Sequence, residues 1–310
     1  MGAPIYPKMA VVGCGLIGSS LVRAAREAGA AGHIAIAETS EAARERIAAL
    51  KLADSLFADA AEAVADADLV IFAVPVMSME AAARAAAPGL KPGATVSDVG
   101  SVKGHVTDAL TATLPDDAFI VPGHPIAGTE QSGPDAGFAE LFQNRWTILT
   151  PQPREDAAYR EAVQRLAAFW TALGAKVEEM DARHHDLVLA ITSHLPHLIA
   201  YNIVGTVADL EGVTQSEVMK YSAGGFRDFT RIAASDPTMW RDVFLTNKDA
   251  VLEVLGRFTE DLQALSRAIR WGEGDKLFEL FSRTREIRRG IVAMGQESAE
   301  PNFGRDRGKH

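Results

Sequence analysis

Four short segments of this chain concentrate residues that move protons or hold anions. His124 stands between Gly123 and Pro125 in GHPIAGTEQSG, just after an apolar run. An imidazole titrates near neutrality, which suits it to accept a proton. Ser101 and Lys103 lie in DVGSVK, and Ser193-His194-Leu-Pro-His197 interrupts an otherwise apolar stretch. GGFRDFTR carries Arg227 and Arg231 and leads to Trp240-Arg241-Asp242. A guanidinium fork matches a carboxylate better than a lysine point charge does. The chemistry His124 offers is proton abstraction. Plainer readings stand beside it. Ser101 also reads as the cap of a helix in SVKGHVTDAL, Arg227 as a surface partner of Asp228, and His194 and His197 as buried core histidines. Zinc would need more ligands than this histidine pair, in a chain with one cysteine, so no metal is expected.

Gly13-Cys14-Gly15-Leu16-Ile17-Gly18 follows an apolar run and opens a helix-like stretch, the setting in which GxGxxG binds a dinucleotide. The first glycine allows a tight turn, the second lets the backbone approach a pyrophosphate, and the third lets helix and strand pack closely. The N–H groups at the helix start then face the phosphates. Glu38 ends the next apolar run, where a carboxylate accepts hydrogen bonds from ribose hydroxyls and repels a 2′-phosphate. NAD is expected on that ground, with Thr39, Ser40 and Arg44 nearby leaving NADP open. Leu16 and Ile17 inside the fingerprint, Val74 and Pro75 at the end of DLVIFAVP, and Ser101 are expected beside the same cofactor.

The elements that must position these groups follow from hydrophobic periodicity. MAVVG (9–13), HIAIAE (33–38), DLVIFAVP (68–75), GATVSDVG (93–100) and FIVPGH (119–124) read as strands. Ala-rich stretches with apolar residues at three- and four-residue spacing alternate with them. Strands this apolar must be covered on both faces, which predicts α/β architecture with a Rossmann-like, doubly wound parallel sheet. GAKVEEMD (174–181) reads as its last edge strand. From about Ala182 the alternation stops, and helices are expected over 182–208, 214–222, 237–257, 259–272 and 274–294. LVLAITSHLPHLIAYNIVGTV (187–207) is apolar nearly all round, so it should be buried in a bundle or a subunit interface. The expected domains are a dinucleotide-binding domain at 1–181, an all-helical domain at 182–295 and a flexible tail at 296–310.

Composition sets the outer limits. The 310 residues carry 31 Lys and Arg against 41 Asp and Glu, a formal charge of −10. That balance argues against a nucleic-acid partner, which calls for a basic surface. With 47% hydrophobic and 23% charged residues, the chain is not disordered as a whole. The single Cys14 makes no internal disulfide, which fits a reducing cytosol. No window approaches 18 uninterrupted apolar residues, and MGAPIYPKMAVVG is too poor in them for a secretory leader. A cytoplasmic protein without a membrane partner is expected.

Taken in order across about residues 9–250, GCGLIGSS, DVGSVK, GHPIAGTEQSG, SHLPH and GGFRDFTRIAASDPTMWRD resemble the prephenate/arogenate (cyclohexadienyl) dehydrogenases of tyrosine biosynthesis. The resemblance implies a Rossmann domain followed by a helical dimerisation domain. It also implies a homodimer that decarboxylates a small cyclohexadienyl substrate oxidatively, with NAD. By the same resemblance, His124 is the catalytic acceptor for the ring hydroxyl, and Ser101 bridges hydroxyl and histidine. His197 would help hold substrate and nicotinamide, and Arg231 would bind a substrate carboxylate. Glu130 would stand at the mouth of the site and Trp240 near the pocket. Two positions depart from the pattern: Cys14 within the fingerprint, and Glu38 where aspartate is commoner. The alternatives are a β-hydroxyacid dehydrogenase of the same plan, which would rely on a lysine such as Lys220 or Lys248, and a nucleotide-sensing protein without chemistry.

Overall fold

The computed structural model describes residues 2–129, 131–209 and 224–293. Six strands, β1 (Tyr6–Val12), β2 (Ala31–Ala37), β3 (Ser55–Phe57), β4 (Leu69–Phe72), β5 (Thr95–Asp98) and β6 (Phe119–Ile120), form one sheet in the order β3-β2-β1-β4-β5-β6. All of its pairings are parallel. The crossovers are α1 (Leu16–Glu27), α2 (Glu41–Ala49), α3 (Ala60–Val64), α4 (Met79–Ala86) and α5 (Lys103–Thr113). Strand order reverses between β1 and β4, which opens the crevice where such sheets take a dinucleotide. Val12 lies level with Ala37 and Phe72, and Phe72 with Asp98. The segments leaving β1, β2, β4 and β5 therefore emerge along one edge.

Period-two alternation explains the two-sided core. Met9 and Val11 join a cluster with Ile34, Ile36, Phe169 and Trp170 on one face. Ala10 and Val12 join Val70, Phe72, Met79 and Val106 on the other. Phe169 and Trp170 come from α6 (Ala157–Ala172).

Two strand readings need correction. FIVPGH was expected as one strand, but it divides between β6 and β7 (Gly123–Pro125), which belongs to a second sheet with β8 (Trp146–Leu149) and β9 (Lys176–Glu179). Pro122 sits between the two, has no N–H to give a ladder, and accepts at its carbonyl from Thr150 N at 2.9 Å. GAKVEEMD is accordingly the edge of this small sheet, where β9 runs parallel to β8, not of the large one. The three-residue β3 was not anticipated, being too short for alternation to be read.

Beyond β9 the described chain is helical: α7 (Ala182–Leu189), a π-helical turn at Ala190–His194, α8 (Leu195–Asp209), α9 (Gly224–Thr230), α10 (Pro237–Thr246), α11 (Lys248–Trp271) and α12 (Gly274–Ala293). The helix expected over 214–222 and the tail at 296–310 lie outside the described residues. The break expected near residue 258 falls instead at Asn247, whose backbone leaves the helical region at φ −107°, ψ 31°. Residues Ala182–Asp209 form a 28-residue helical run with a mean hydropathy of 1.5 in its most apolar window. Contrary to the sequence expectation, its length and composition would suffice to cross a membrane, because Ser193, His194 and His197 interrupt the run without lowering its average enough. A core helix passes the same test. Only 28% of that window is buried within the chain, and Ile191 is 51% exposed.

The chain divides into two compact units, Met1–Leu252 and Glu253–His310. In the first, Trp240 and Val243 of α10 complete the second core cluster. In the second, Gly272 turns the chain between α11 and α12 at a φ of +67°. This unit leaves Trp271 and Phe278 largely exposed.

Candidate active site

The three glycines of the fingerprint are needed for different reasons. Gly13 has a φ of +87°, and a Cβ there would stand 2.7 Å from the Ala73 carbonyl oxygen. A Cβ on Gly18 would stand 2.5 Å from the Gly13 carbonyl oxygen, so α1 closes directly onto the turn. A Cβ on Gly15 would meet nothing within 4 Å. Among the described residues its smallness serves no packing, and no side chain caps the start of α1. Leu16 and Ile17 form the first turn of that helix, and Val74 and Pro75 follow β4 across the crevice. These residues fit a pyrophosphate on the uncapped N–H groups.

Glu38 follows β2. Its carboxylate accepts from Cys14 N at 3.2 Å and from Ser40 N at 3.0 Å, tying the fingerprint loop to the start of α2. Ser40 is the N-cap of α2. Arg44 spends its guanidinium on the Glu38 and Thr39 carbonyls, at 2.8 and 2.7 Å. The Cys14 thiol is buried, and burial followed by the nearby Glu38 charge pushes its pKa up to about 12. It is an inert packing group.

At the end of β5, Asp98 and Lys103 form an ion pair fully removed from solvent. Asp98 also accepts from Gly100 N at 2.7 Å and Gly123 N at 3.0 Å, while Lys103 Nζ donates to the Gly123 carbonyl at 2.7 Å. The sequence placed Lys103 in one of the segments that could hold an anion. The structure corrects this: the ammonium is a clamp that joins β5, α5 and β7 at Gly123, the residue before His124. Burial pushes the Lys103 pKa down, against the pull of Asp98.

His124 lies on β7 and is 9% exposed. Its Nδ1 is 2.9 Å from Nε2 of His185, and the two rings meet edge to face. Nδ1 of His185 is in turn 2.9 Å from Asp186 Oδ1. Asp186 accepts from Lys103 N at 2.7 Å and from Gly104 N at 2.8 Å, so it caps α5 from another element. Ser101 therefore does not cap this helix; the N-cap position is Val102, with no cap from its own side chain. Burial is the main force that depresses His124 well below 6.5, with His185, Lys103 and His194 adding to it.

His194 is 1% exposed and belongs to the π turn. Burial lowers its pKa to about 4. His197, one turn on, donates from Nδ1 to the Ser193 carbonyl at 2.8 Å and stacks on Trp240, with ring centroids 3.6 Å apart. Burial also lowers the His197 pKa, and the Arg231 charge lowers it further, which sets Arg231 close to that imidazole. The structure thus gathers His124, His194, His197, Trp240 and Arg231 into one connected region of the first unit. Glu130 and Lys220 lie outside the described residues; Lys248 is exposed at the start of α11. The sequence reading missed His185, Asp186 and Asn247. The adjacent HHD in ARHHDLVL, at the head of an apolar helix, was the available signal.

Residues 21–179 match the model of the prephenate dehydrogenase nucleotide-binding domain, and residues 181–283 that of the prephenate dehydrogenase dimerization domain. The chain is 45% identical to a cyclohexadienyl dehydrogenase of Zymomonas mobilis over 284 residues, which covers 92% of this chain and 96% of that protein. It is 33% identical to a prephenate dehydrogenase of Bacillus subtilis, covering 94% of this chain and 78% of that one. A solved structure of prephenate dehydrogenase from A. aeolicus, in complex with hydroxyphenyl propionate and NAD+, superposes with a TM-score of 0.84 at 32% identity, over 92% of this chain and 98% of that one.

Proposed function

The chain belongs to the prephenate dehydrogenase family, and on that premise we propose that it oxidatively decarboxylates prephenate, arogenate or both, with NAD as hydride acceptor. The observation that carries the reading is a buried His124, held neutral by its surroundings, just beyond a parallel sheet whose crevice carries an open glycine fingerprint. NAD, when bound, takes the hydride from the ring carbon that bears the hydroxyl. Gly13, Gly15, Leu16, Ile17, Gly18, Glu38, Val74, Pro75 and Ser101 would hold it. The carboxylate of Glu38 favours it over NADP.

His124 accepts the hydroxyl proton as that carbon rises to the ketone level. The new carbonyl then takes up the electron pair released as the ring carboxylate leaves as carbon dioxide, and the ring becomes aromatic. The oxygen left behind is a phenolate, and His124 returns its proton to it, so no net proton is released. Ser101 bridges the hydroxyl and the imidazole. Arg231 holds a substrate carboxylate, and His197, fixed against Trp240, presents its Nε2 to the substrate. Glu130, which lies outside the described residues, keeps only the role that the resemblance implies for it. This cationic and imidazole-rich set argues for chemistry over a binding-only role, and family membership argues against β-hydroxyacid oxidation.

The family's dimerization domain and the exposed apolar residues Ile191, Ile203 and Val204 of the long helical run support a homodimer in which residues 182–295 form the shared part. A cytosolic location fits the buried, unpaired Cys14. Steady-state rates on prephenate and arogenate, each with NAD and NADP, test the proposal. NAD reduction with either substrate, lost in His124→Ala at nearly unchanged cofactor affinity, is the expected result. No turnover on either substrate overturns it.

A further inference from the structure

The geometry points to His185 and Asp186 as positioning residues that fix the tautomer of His124, so that an Nε2 lone pair, and not an N–H, meets the ring hydroxyl of the substrate. The inference rests on the function proposed above and assigns a role to two residues outside it.

The argument runs inward from the carboxylate. Asp186 is anchored on the first turn of α5, where Oδ1 receives Lys103 N and Oδ2 receives Gly104 N. A carboxylate only accepts, so the Nδ1 of His185 that faces Oδ1 at 2.9 Å carries the hydrogen. His185 is fully buried, and desolvation lowers its pKa against the opposing pull of Asp186, which leaves the ring neutral. A neutral imidazole has one N–H, so Nε2 of His185 presents a lone pair. That lone pair is 2.9 Å from Nδ1 of His124. Two lone pairs facing each other at this distance inside a dry core would repel, so Nδ1 of His124 carries the hydrogen and Nε2 is bare.

The groups around His124 agree with this assignment. Lys103 faces it from α5, with its charge matched by Asp98 of β5. His194 faces it from the π turn and His185 faces it from α7, with Asp186 on the far side of the His185 ring. The backbone of Asp186 is held as well, since its carbonyl accepts from Asn247 Nδ2 at 2.9 Å. A general base in the wrong tautomer offers an N–H where a lone pair is required, and the catalytic contribution of such a base is on the order of 100-fold or more.

The test compares His185→Gln with His185→Leu in the full chain. The Gln carbonyl can still accept from His124 Nδ1–H, and the Leu side chain cannot. The leucine variant should lose about 100-fold in kcat with KM and NAD affinity nearly unchanged, and the glutamine variant should recover at least about tenfold of that loss. Equal activity of the two variants, or full activity of the leucine variant, overturns the relay. Asp186→Asn is less useful alone, because it also disturbs the cap on α5. Nitrogen-15 spectra of the histidine rings in the unsubstituted protein, with the His124 signals assigned by His124→Asn, give an independent reading. A His124 ring protonated at Nδ1 and bare at Nε2 supports the relay; an Nε2–H ring overturns it. If the protein turned over neither prephenate nor arogenate, the functional proposal would fall while these spectra still decided the relay.

Discussion

Asn247 uses both amide hydrogens at once, one on the Asp186 carbonyl at 2.9 Å and the other on His194 Nδ1 at 3.1 Å. The first bond fixes the orientation of the amide, because a carbonyl can only accept. The second then makes Nδ1 of His194 an acceptor and places its hydrogen on Nε2. One side chain at the break between α10 and α11 therefore joins the relay helix to the π turn that carries the second buried histidine.

This arrangement makes stability depend on pH. His194 is held at about 4 in the fold, against 6.5 when unfolded, and burial lowers His124, His185 and His197 too. Below pH 6.5 the unfolded chain binds protons that the folded chain refuses, so the unfolded state gains. Stability should be greatest above 6.5 and fall as pH drops toward 4, with His194 alone contributing on the order of 3 kcal/mol of the loss. Urea unfolding at a series of pH values measures this, and a flat profile between pH 7 and 5 would refute it.

The fingerprint glycines should separate under mutation. Gly18→Ala drives a Cβ to 2.5 Å from a backbone oxygen that cannot move aside, so the variant should be several kcal/mol less stable, with a figure of about 3 as the expected scale. Gly15→Ala meets open space. It should melt like the parent protein yet bind NAD at least about tenfold more weakly, through loss of close backbone approach. Thermal melts and cofactor titrations on both variants distinguish the roles; equal melting temperatures for Gly18→Ala and the parent would contradict the packing argument.

The proposed role of Glu38 in cofactor choice can be tested directly. Its carboxylate is fixed by Cys14 N and Ser40 N, while Arg44 stands at the same strand end. Glu38→Ser removes the repulsion toward a 2′-phosphate and leaves the guanidinium beside it. The ratio of kcat/KM for NAD over NADP should fall by about tenfold or more, roughly 1.4 kcal/mol. An unchanged ratio would move the discrimination to other residues.

The Asp98–Lys103 pair should behave as a structural clamp. Removing one partner strands a buried charge, so Asp98→Ala should cost about 3–5 kcal/mol in denaturant unfolding. Activity should fall with it, because Gly123 N and the strand carrying His124 lose their anchor. A stable Asp98→Ala protein with normal turnover would show that the clamp is dispensable.

Much of this protein was written in local sequence. Alternating apolar runs specified a parallel sheet because a strand buried on both faces can afford few polar residues. The glycine spacing specified the dinucleotide crevice because only glycine permits the φ of +87° at Gly13 and the contact at Gly18. Other features depended on groups far apart in the chain. Pro122 divided a run that read as one strand, since the residues on its two sides found partners in different sheets. Lys103, a surface-type residue by composition, became a buried clamp through Asp98 and the Gly123 carbonyl. His185 and Asp186 were not singled out in the sequence, and only the approach of α5 and β7 gave each its partner. Periodicity and glycine geometry act within a few residues, so the sequence carries them; the protonation state of a buried imidazole depends on neighbours that only folding brings within hydrogen-bonding distance.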